Sequence, residues 1–185
     1  MMKFLSIFFF LFCVSCNSAI VNVRVKSENL FCNGTGFFVT QQYIITAYHV
    51  IKKKLPNKPI QIRIPKNGIE IVLTATVVEI MEDLDIVVLR LNKPISIIPL
   101  KFCKNISVND SVKAYRKLPN IPVEIKYGKI YRILPEKLFT TIVGKPGFSG
   151  SPIVRIKDNC VVGIARAILT GQNNNIVGPN LIKIN

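Results

Sequence analysis

The sequence predicts an all-β protein, built either as a sandwich or as small barrels, and three observations carry that prediction. Ile and Val are abundant in a chain that is 49% hydrophobic, and these residues fit a pleated, half-buried surface. Apolar and polar residues alternate in several short runs, while almost no long stretch repeats apolar residues at helical spacing. Turn chemistry recurs at near-regular intervals between those runs, as short strands require. At 185 residues, the chain is long enough to bury one good core, or two small cores that share an interface.

Residues 1–19 are set apart from the fold. Lys3 precedes an apolar stretch over 4–14 broken only by Ser6, and small or polar residues follow through Ala19. These are the three parts of a secretory signal, and the apolar core is too short to span a bilayer comfortably. That shortness, and the strand-like sequence that follows at once, weigh against the alternative of a retained anchor. Val14-Ser15-Cys16 also resembles the end of a bacterial lipoprotein signal, with Cys13 where Leu is usual, so Cys16 is the candidate for lipidation. Cleavage after Cys16, Ser18 or Ala19 stays open. Either route takes the protein out of the cytoplasm, as a secreted, periplasmic or envelope-anchored species that touches a membrane only through that lipid.

Beyond the leader, strict alternation of Ile60, Ile62 and Ile64 against Gln61, Arg63 and Pro65 marks one half-buried strand. Val123, Ile125 and Tyr127 against Glu124, Lys126 and Gly128 mark another. Further strands are predicted over 20–25, 37–40, 43–46, 70–79, 85–91, 111–115, 137–142, 152–156, 161–169 and 175–177. Turns are predicted at 33–34, 66–68, 109–110, 119–120, 157–159 and 171–173. Residues 92–109 form the best internal boundary, because Pro94 and Pro99 interrupt strand pairing and the sequence turns polar at Lys104-Asn105. They divide the chain into an N-terminal set over 20–95 and a C-terminal set over 96–185, each able to close a small barrel. Residues 180–185 suit a short terminal helical turn.

Composition narrows the partners. Net charge is +15, with Lys52-Lys53-Lys54, Lys58, Arg63 and Lys66 close together and Lys126, Lys129 and Arg132 along a later strand. A solvated basic face that favours an anionic surface is the expected meaning. Specific nucleic-acid binding is not expected, since no recognised motif accompanies the charge. Cys32, Cys103 and Cys160 lie beyond the leader, so at most one disulfide forms among them in a monomer, the oligomeric state expected here. Which pair, if any, stays open. With a single histidine and no CxxC pair, no metal site is expected, and no cofactor motif is present.

Three segments carry chemistry. Thr46-Ala47-Tyr48-His49, Asp85-Ile86-Val87-Val88-Leu89 and Gly147-Phe148-Ser149-Gly150-Ser151-Pro152 place a His, an Asp and a Ser in that order, each beside a strand-like run. A serine hydroxyl is a poor nucleophile at neutral pH; it needs a base in reach, and the base needs a carboxylate to fix its tautomer. His49, Asp85 and Ser149 supply those roles. A developing oxyanion needs backbone N–H groups in a tight, unobstructed turn, which Gly147 and Gly150 allow. Each motif alone is common, but their joint occurrence in the right local contexts is far more specific. The order excludes an esterase of the α/β-hydrolase type, which runs Ser, acid, His.

These residues resemble the trypsin-like (chymotrypsin-fold) serine peptidases of the compact bacterial and viral kind. Thr35-Gly36-Phe37-Phe38-Val39 through His49 is similar to that family's Gly-x-Gly-Phe to Thr-Ala-x-His block, and Asp85 to Leu89 to its Asp-Ile-Ala-Leu-Leu block. Gly147 to Pro152 is similar to its Gly-Asn-Ser-Gly-Ser-Pro block, and Val161-Val162-Gly163-Ile164 to its cleft-lining strand. The resemblance implies two six-stranded antiparallel barrels with the site in the cleft between them. It implies peptide-bond hydrolysis of protein or peptide substrates through an acyl-enzyme, with the backbone N–H groups of Gly147 and Ser149 as the oxyanion hole. It also points to Val143, Arg166 and Ile168 as pocket residues. Val143 offers no carboxylate for a Lys or Arg side chain, so a small or medium apolar residue is expected at the cleavage position. Arg166 and Lys145 offer an acidic residue as the alternative.

The chain departs from the family pattern at three places. Tyr48 replaces a usual Ala, Tyr115-Arg116 stands where a Gly-rich turn is frequent, and Phe148 stands where digestive members carry Asp. The last removes the salt bridge that activates zymogens, so a constitutively competent site is expected. The competing function is a non-catalytic basic surface-binding protein on the same scaffold.

Overall fold

The computed structural model describes residues 18–66, 69–169 and 175–181. Residues 1–17 with Cys16, residues 67–68 and 170–174, where turns are predicted, and residues 182–185 lie outside the described residues.

Six strands close an N-terminal barrel in the order β1-β2-β3-β6-β5-β4. They are β1 (Ile20–Lys26), β2 (Phe31–Phe38), β3 (Tyr43–Ala47), β4 (Ile60–Lys66), β5 (Ile69–Met81) and β6 (Ile86–Leu91). All pairings are antiparallel, and closure removes exposed edges. The alternation read at Ile60, Ile62 and Ile64 is borne out: all three are buried inside this barrel with Val23, Phe37, Ile44 and Leu89. Ala19 is buried too, and its carbonyl accepts a hydrogen bond from the Phe38 N–H at 3.0 Å.

The connector from Asn92 to Asp110 leads to a second sheet ordered β11-β10-β7-β8-β9-β13-β12. Its strands are β7 (Ser111–Arg116), β8 (Glu124–Ile133), β9 (Lys137–Val143), β10 (Pro152–Arg155), β11 (Val161–Ile164), β12 (Ala167–Leu169) and β13 (Asn175–Pro179). The two barrels are thus six-stranded, the second nearly closed. β11 and β12 are halves of one path bent at Ala165-Arg166: β11 pairs with β10, β12 pairs with β13, and a bridge between Gly163 and Asn180 brings the ends together. The single strand expected over 161–169 is therefore split at the cleft.

Two further local expectations are corrected. Asn33-Gly34 is no turn; it lies inside β2, and the reversal is made by 27–30, where Ser27 N–H donates to Leu30 O at 2.9 Å. Glycine is needed at 34 because a Cβ there would meet Val50 Cγ2 at 2.5 Å and Ser149 O at 2.9 Å. A single-turn helix, α1 (Tyr48–Ile51), follows β3 and was not anticipated; Val50 and Ile51 bury its inner face.

The N-terminal core includes Tyr115, Val154, Val161 and Ile164 from the second sheet, so apolar packing is continuous across the junction. A second core gathers Val112, Ile130, Leu138, Ile142, Phe148 and Val162. Cys103 and Cys160 form a disulfide that ties the connector to the β10–β11 hairpin, and Cys32 is free.

Candidate active site

His49 sits at the second position of α1, where β3 ends and its apolar run meets the cleft. Asp85 stands at the turn before β6, whose register places Ile86 beside Ala47. Its φ of 56° is left-handed, a conformation that short polar residues such as Asp tolerate better than most. The turn aims the carboxylate at α1. Asp85 Oδ1 accepts from the His49 backbone N–H at 2.8 Å, Asp85 Oδ2 meets His49 Nδ1 at 2.6 Å, and Asp85 O accepts from Tyr48 N–H at 2.9 Å. Asp85 thus caps the short helix and fixes the ring it carries. Its side chain is only 11% exposed against 44% for His49, so the carboxylate is sheltered while the imidazole edge faces solvent.

Arg166 crosses from the second sheet to this pair. Its Nε lies 3.8 Å from Asp85 Oδ2, and its Nη1 donates to Asp83 O at 3.1 Å.

Ser149 lies on the loop between β9 and β10. Gly147 and Gly150 both have positive φ, 99° and 81°, which a Cβ would strain. Phe148 between them is buried in the second core and anchors the loop from below; its burial supplies on the order of 2 kcal/mol. An apolar anchor therefore occupies the place where a zymogen-type salt bridge is absent. Gly150 N–H donates to Ala165 O at 2.8 Å, and Ser151 N–H to Phe148 O at 2.8 Å. A Cβ on Gly150 would run into Thr46 Oγ1, Thr35 O and Ala47 N. The residue after Ser149 is thus pressed against the strand end that delivers His49.

Thr35 makes the junction specific. Its N–H donates to Ser149 O at 2.8 Å, its hydroxyl donates to Gly147 O at 2.8 Å and accepts from Lys117 N–H at 3.0 Å, and its carbonyl accepts from Thr46 Oγ1 at 2.8 Å. One buried residue of β2 therefore holds the serine loop, the end of β7 and β3 together.

The structure joins His49 to Asp85 and brings the Ser149 loop against the same strands. Among the described residues, the Ser149 hydroxyl makes no hydrogen bond, and neither do the N–H groups of Gly147 and Ser149. Beside them is a pocket of about 190 Å³ lined by Lys145, Pro146, Phe148, Ser149, Ala165, Arg166 and Ile176. Arg166 is among the lining residues. Val143 is half exposed near the end of β9 and stands outside that lining. The side chain of Ile168 lies outside the described residues. Thr35 and Ile176 were not anticipated; Thr35 had a signal, since it opens the segment that runs to His49.

Residues 34–164, which include His49, Asp85 and Ser149, match the family described as a trypsin-like peptidase domain. The chain belongs to that family. Solved structures of the same fold include the MamO protease domain of Magnetospirillum magneticum in its apo form, at 18% identity and a TM-score of 0.77, over 92% of this chain and 96% of that one. The active form of the Rv3671c protease of M. tuberculosis is similar at 15% identity and 0.76, over 89% and 77%. The serine endoprotease of Yersinia pestis is similar at 20% and 0.75, over 91% of this chain and 60% of the other. No curated protein matches the sequence.

Proposed function

We propose that the protein is an exported serine endopeptidase in which Ser149 attacks the scissile carbonyl, His49 takes its proton and Asp85 orients His49. The observation that carries this reading is the double contact of Asp85 with His49, on the ring and on the backbone, beside the glycine-flanked Ser149 loop. With Nδ1–H donating to the carboxylate, Nε2 is left as the acceptor that general-base catalysis needs. The proton then passes from imidazolium to the leaving amine, and water repeats the cycle on the acyl-enzyme. The unengaged N–H groups of Gly147 and Ser149 supply donors for the oxyanion.

Export is supported by the three-part leader and by the Cys103–Cys160 disulfide, since such bridges persist in oxidising compartments. The pocket carries Lys145 and Arg166 and no carboxylate, so cleavage after Lys or Arg is disfavoured. Small or medium side chains fit its volume. The test is Ser149→Ala in the mature protein: hydrolysis of casein and labelling by a fluorophosphonate probe are both lost, with unfolding behaviour retained. Labelling that survives the substitution overturns the role of Ser149. Absence of turnover in the parent, together with heparin binding, transfers the assignment to a non-catalytic surface binder.

A further inference from the structure

We propose that Arg116 is a positioning residue that holds the Pro146–Gly147 peptide in the orientation the oxyanion hole requires. This inference rests on the peptidase reading above. Arg116 ends β7, and Glu124, which begins β8, is its direct cross-strand partner. The guanidinium Nε donates to Pro146 O at 2.9 Å, while Nη1 pairs with Glu124 Oε2 at 3.0 Å. The same Glu124 oxygen takes Lys145 Nζ at 2.9 Å, so the carboxylate grips the serine loop directly and through Arg116.

The consequence follows from peptide geometry. A trans peptide is planar, and its C=O and N–H point in opposite directions; no cis bond is present among the described residues, this one included. Pinning the Pro146 carbonyl on Arg116 therefore directs the Gly147 N–H away from Arg116, to the side where no protein acceptor meets it. Glycine has little intrinsic preference between the two orientations of this plane. Without a hold on the Pro146 carbonyl, the plane can turn over and present an oxygen where a donor is needed. Thr35 Oγ1 fixes the next carbonyl, Gly147 O, at 2.8 Å, so the two successive peptide planes are each held by one side chain. A Cβ on Gly147 would lie 3.0 Å from Arg116 Nε, which shows how closely the guanidinium covers this residue.

The test compares the mature wild type with Arg116→Met and Arg116→Lys, using steady-state hydrolysis of a fluorogenic peptide library hit, inhibition by a peptide aldehyde, thermal unfolding and crystal structures. Removing one oxyanion donor typically costs about 100-fold to 1,000-fold in kcat, so partial loss of its orientation is expected to cost Arg116→Met about 10-fold to 100-fold. KM stays within about threefold, and aldehyde affinity falls in step with kcat/KM because the tetrahedral adduct uses the same donors. Arg116→Lys recovers part of the loss. A merely structural role would lower the melting temperature and leave kcat per folded molecule unchanged. If the wild type turns over and Arg116→Met keeps kcat within threefold, the proposal is overturned and the peptidase reading stands. If the wild type itself neither hydrolyses nor labels at Ser149, the peptidase reading fails. The crystal structures then still decide the hold, which is refuted if the Pro146 carbonyl keeps its orientation without Arg116.

Discussion

Asp85→Asn isolates the orienting carboxylate with almost no change in shape. Asp85 uses both oxygens: Oδ1 accepts from the His49 backbone N–H at 2.8 Å and Oδ2 meets His49 Nδ1 at 2.6 Å. In the variant, the asparagine oxygen must keep the backbone N–H, since two donors cannot face each other. Its amide nitrogen then faces Nδ1, which must become an acceptor, so the ring proton moves to Nε2. The base is thereby held in the wrong tautomer for taking a proton from Ser149. In a chymotrypsin-type triad the same exchange lowers kcat by ~10⁴, and at 1.36 kcal/mol per decade that is ~5.4 kcal/mol of transition-state stabilisation. Folding stability should change far less. Two charge-assisted bonds are replaced by neutral ones, at about 1 kcal/mol each, while the Tyr48 N–H to Asp85 O bond at 2.9 Å is untouched. The measurements are kcat/KM on a fluorogenic peptide and a urea unfolding curve of the same preparation. A variant that keeps activity within tenfold of wild type refutes the orienting role, and one that loses several kcal/mol of stability shows that the activity loss came from the fold.

Gly150→Ala places a methyl group on a φ of 81° against Thr46 Oγ1, Thr35 O and Ala47 N; left-handed strain and overpacking together cost about 3 kcal/mol, read as a lowered urea midpoint. Replacing Cys103 and Cys160 by Ala opens a bridge of sequence separation 57, for which chain entropy gives ~4 kcal/mol; a loss below about 1 kcal/mol would contradict it. Acid stability should depend on Arg155, which is buried between Asp158 at 2.6 Å and Asp110 at 3.2 Å. Arg155 holds the Asp158 carboxyl below its ordinary value chiefly through that hydrogen bond. For Asp110, burial pushes upward, but bonds from Ser107 N–H and Arg155 prevail and lower it. A depressed carboxylate stabilises the fold above its unfolded pKa and loses that contribution as pH falls through the folded value. The stability gap between wild type and Arg155→Met is therefore constant near neutrality and shrinks below about pH 4, near the ordinary Asp pKa, and a gap of equal size at pH 7 and pH 3 refutes the linkage.

The fold was legible because the barrels are built from period-two patterning, and that signal survives in a single sequence. Ile60, Ile62 and Ile64 point inward as their alternation says. What failed was local chemistry overridden by tertiary contact. Asn33-Gly34 has the composition of a turn, yet it is held in β2 by ladder pairing to Val23 and Arg24 and by the close approach of Val50. α1 is one turn long and has no side-chain cap of its own; its first N–H groups are satisfied by Asp85, 36 residues from His49. The candidate site was legible to the extent that its proposed chemistry is concentrated in rare residues: a lone His, an Asp before an apolar run, a Ser between glycines. The groups that support them are common residue types brought in by register. Arg116 and Glu124 meet only because the β7–β8 hairpin pairs them, and no spacing rule in the sequence announces that.

That division has a physical basis in how the two barrels are joined. The strand that leads to His49 and the serine loop belong to separately closed or nearly closed sheets, so their relative position is set by the contacts that cross the junction. Apolar packing of Tyr115, Val154, Val161 and Ile164 onto the first core supplies most of the adhesion, but such packing is non-directional and tolerates small slips. Direction comes from hydrogen bonds with no freedom left in them. The Thr35 hydroxyl donates to Gly147 O and accepts from Lys117 N–H, and the Thr35 backbone meets Ser149 O and Thr46 Oγ1. Three of these bonds, to Gly147 O, Ser149 O and Lys117 N–H, cross to the second barrel, so a slip of one barrel against the other breaks them together. Catalytic geometry tolerates errors of only about 1 Å, and the buried Thr35 side chain, with the Asn22 amide that donates to Lys117 O at 3.2 Å, holds the barrels to that tolerance at the seam.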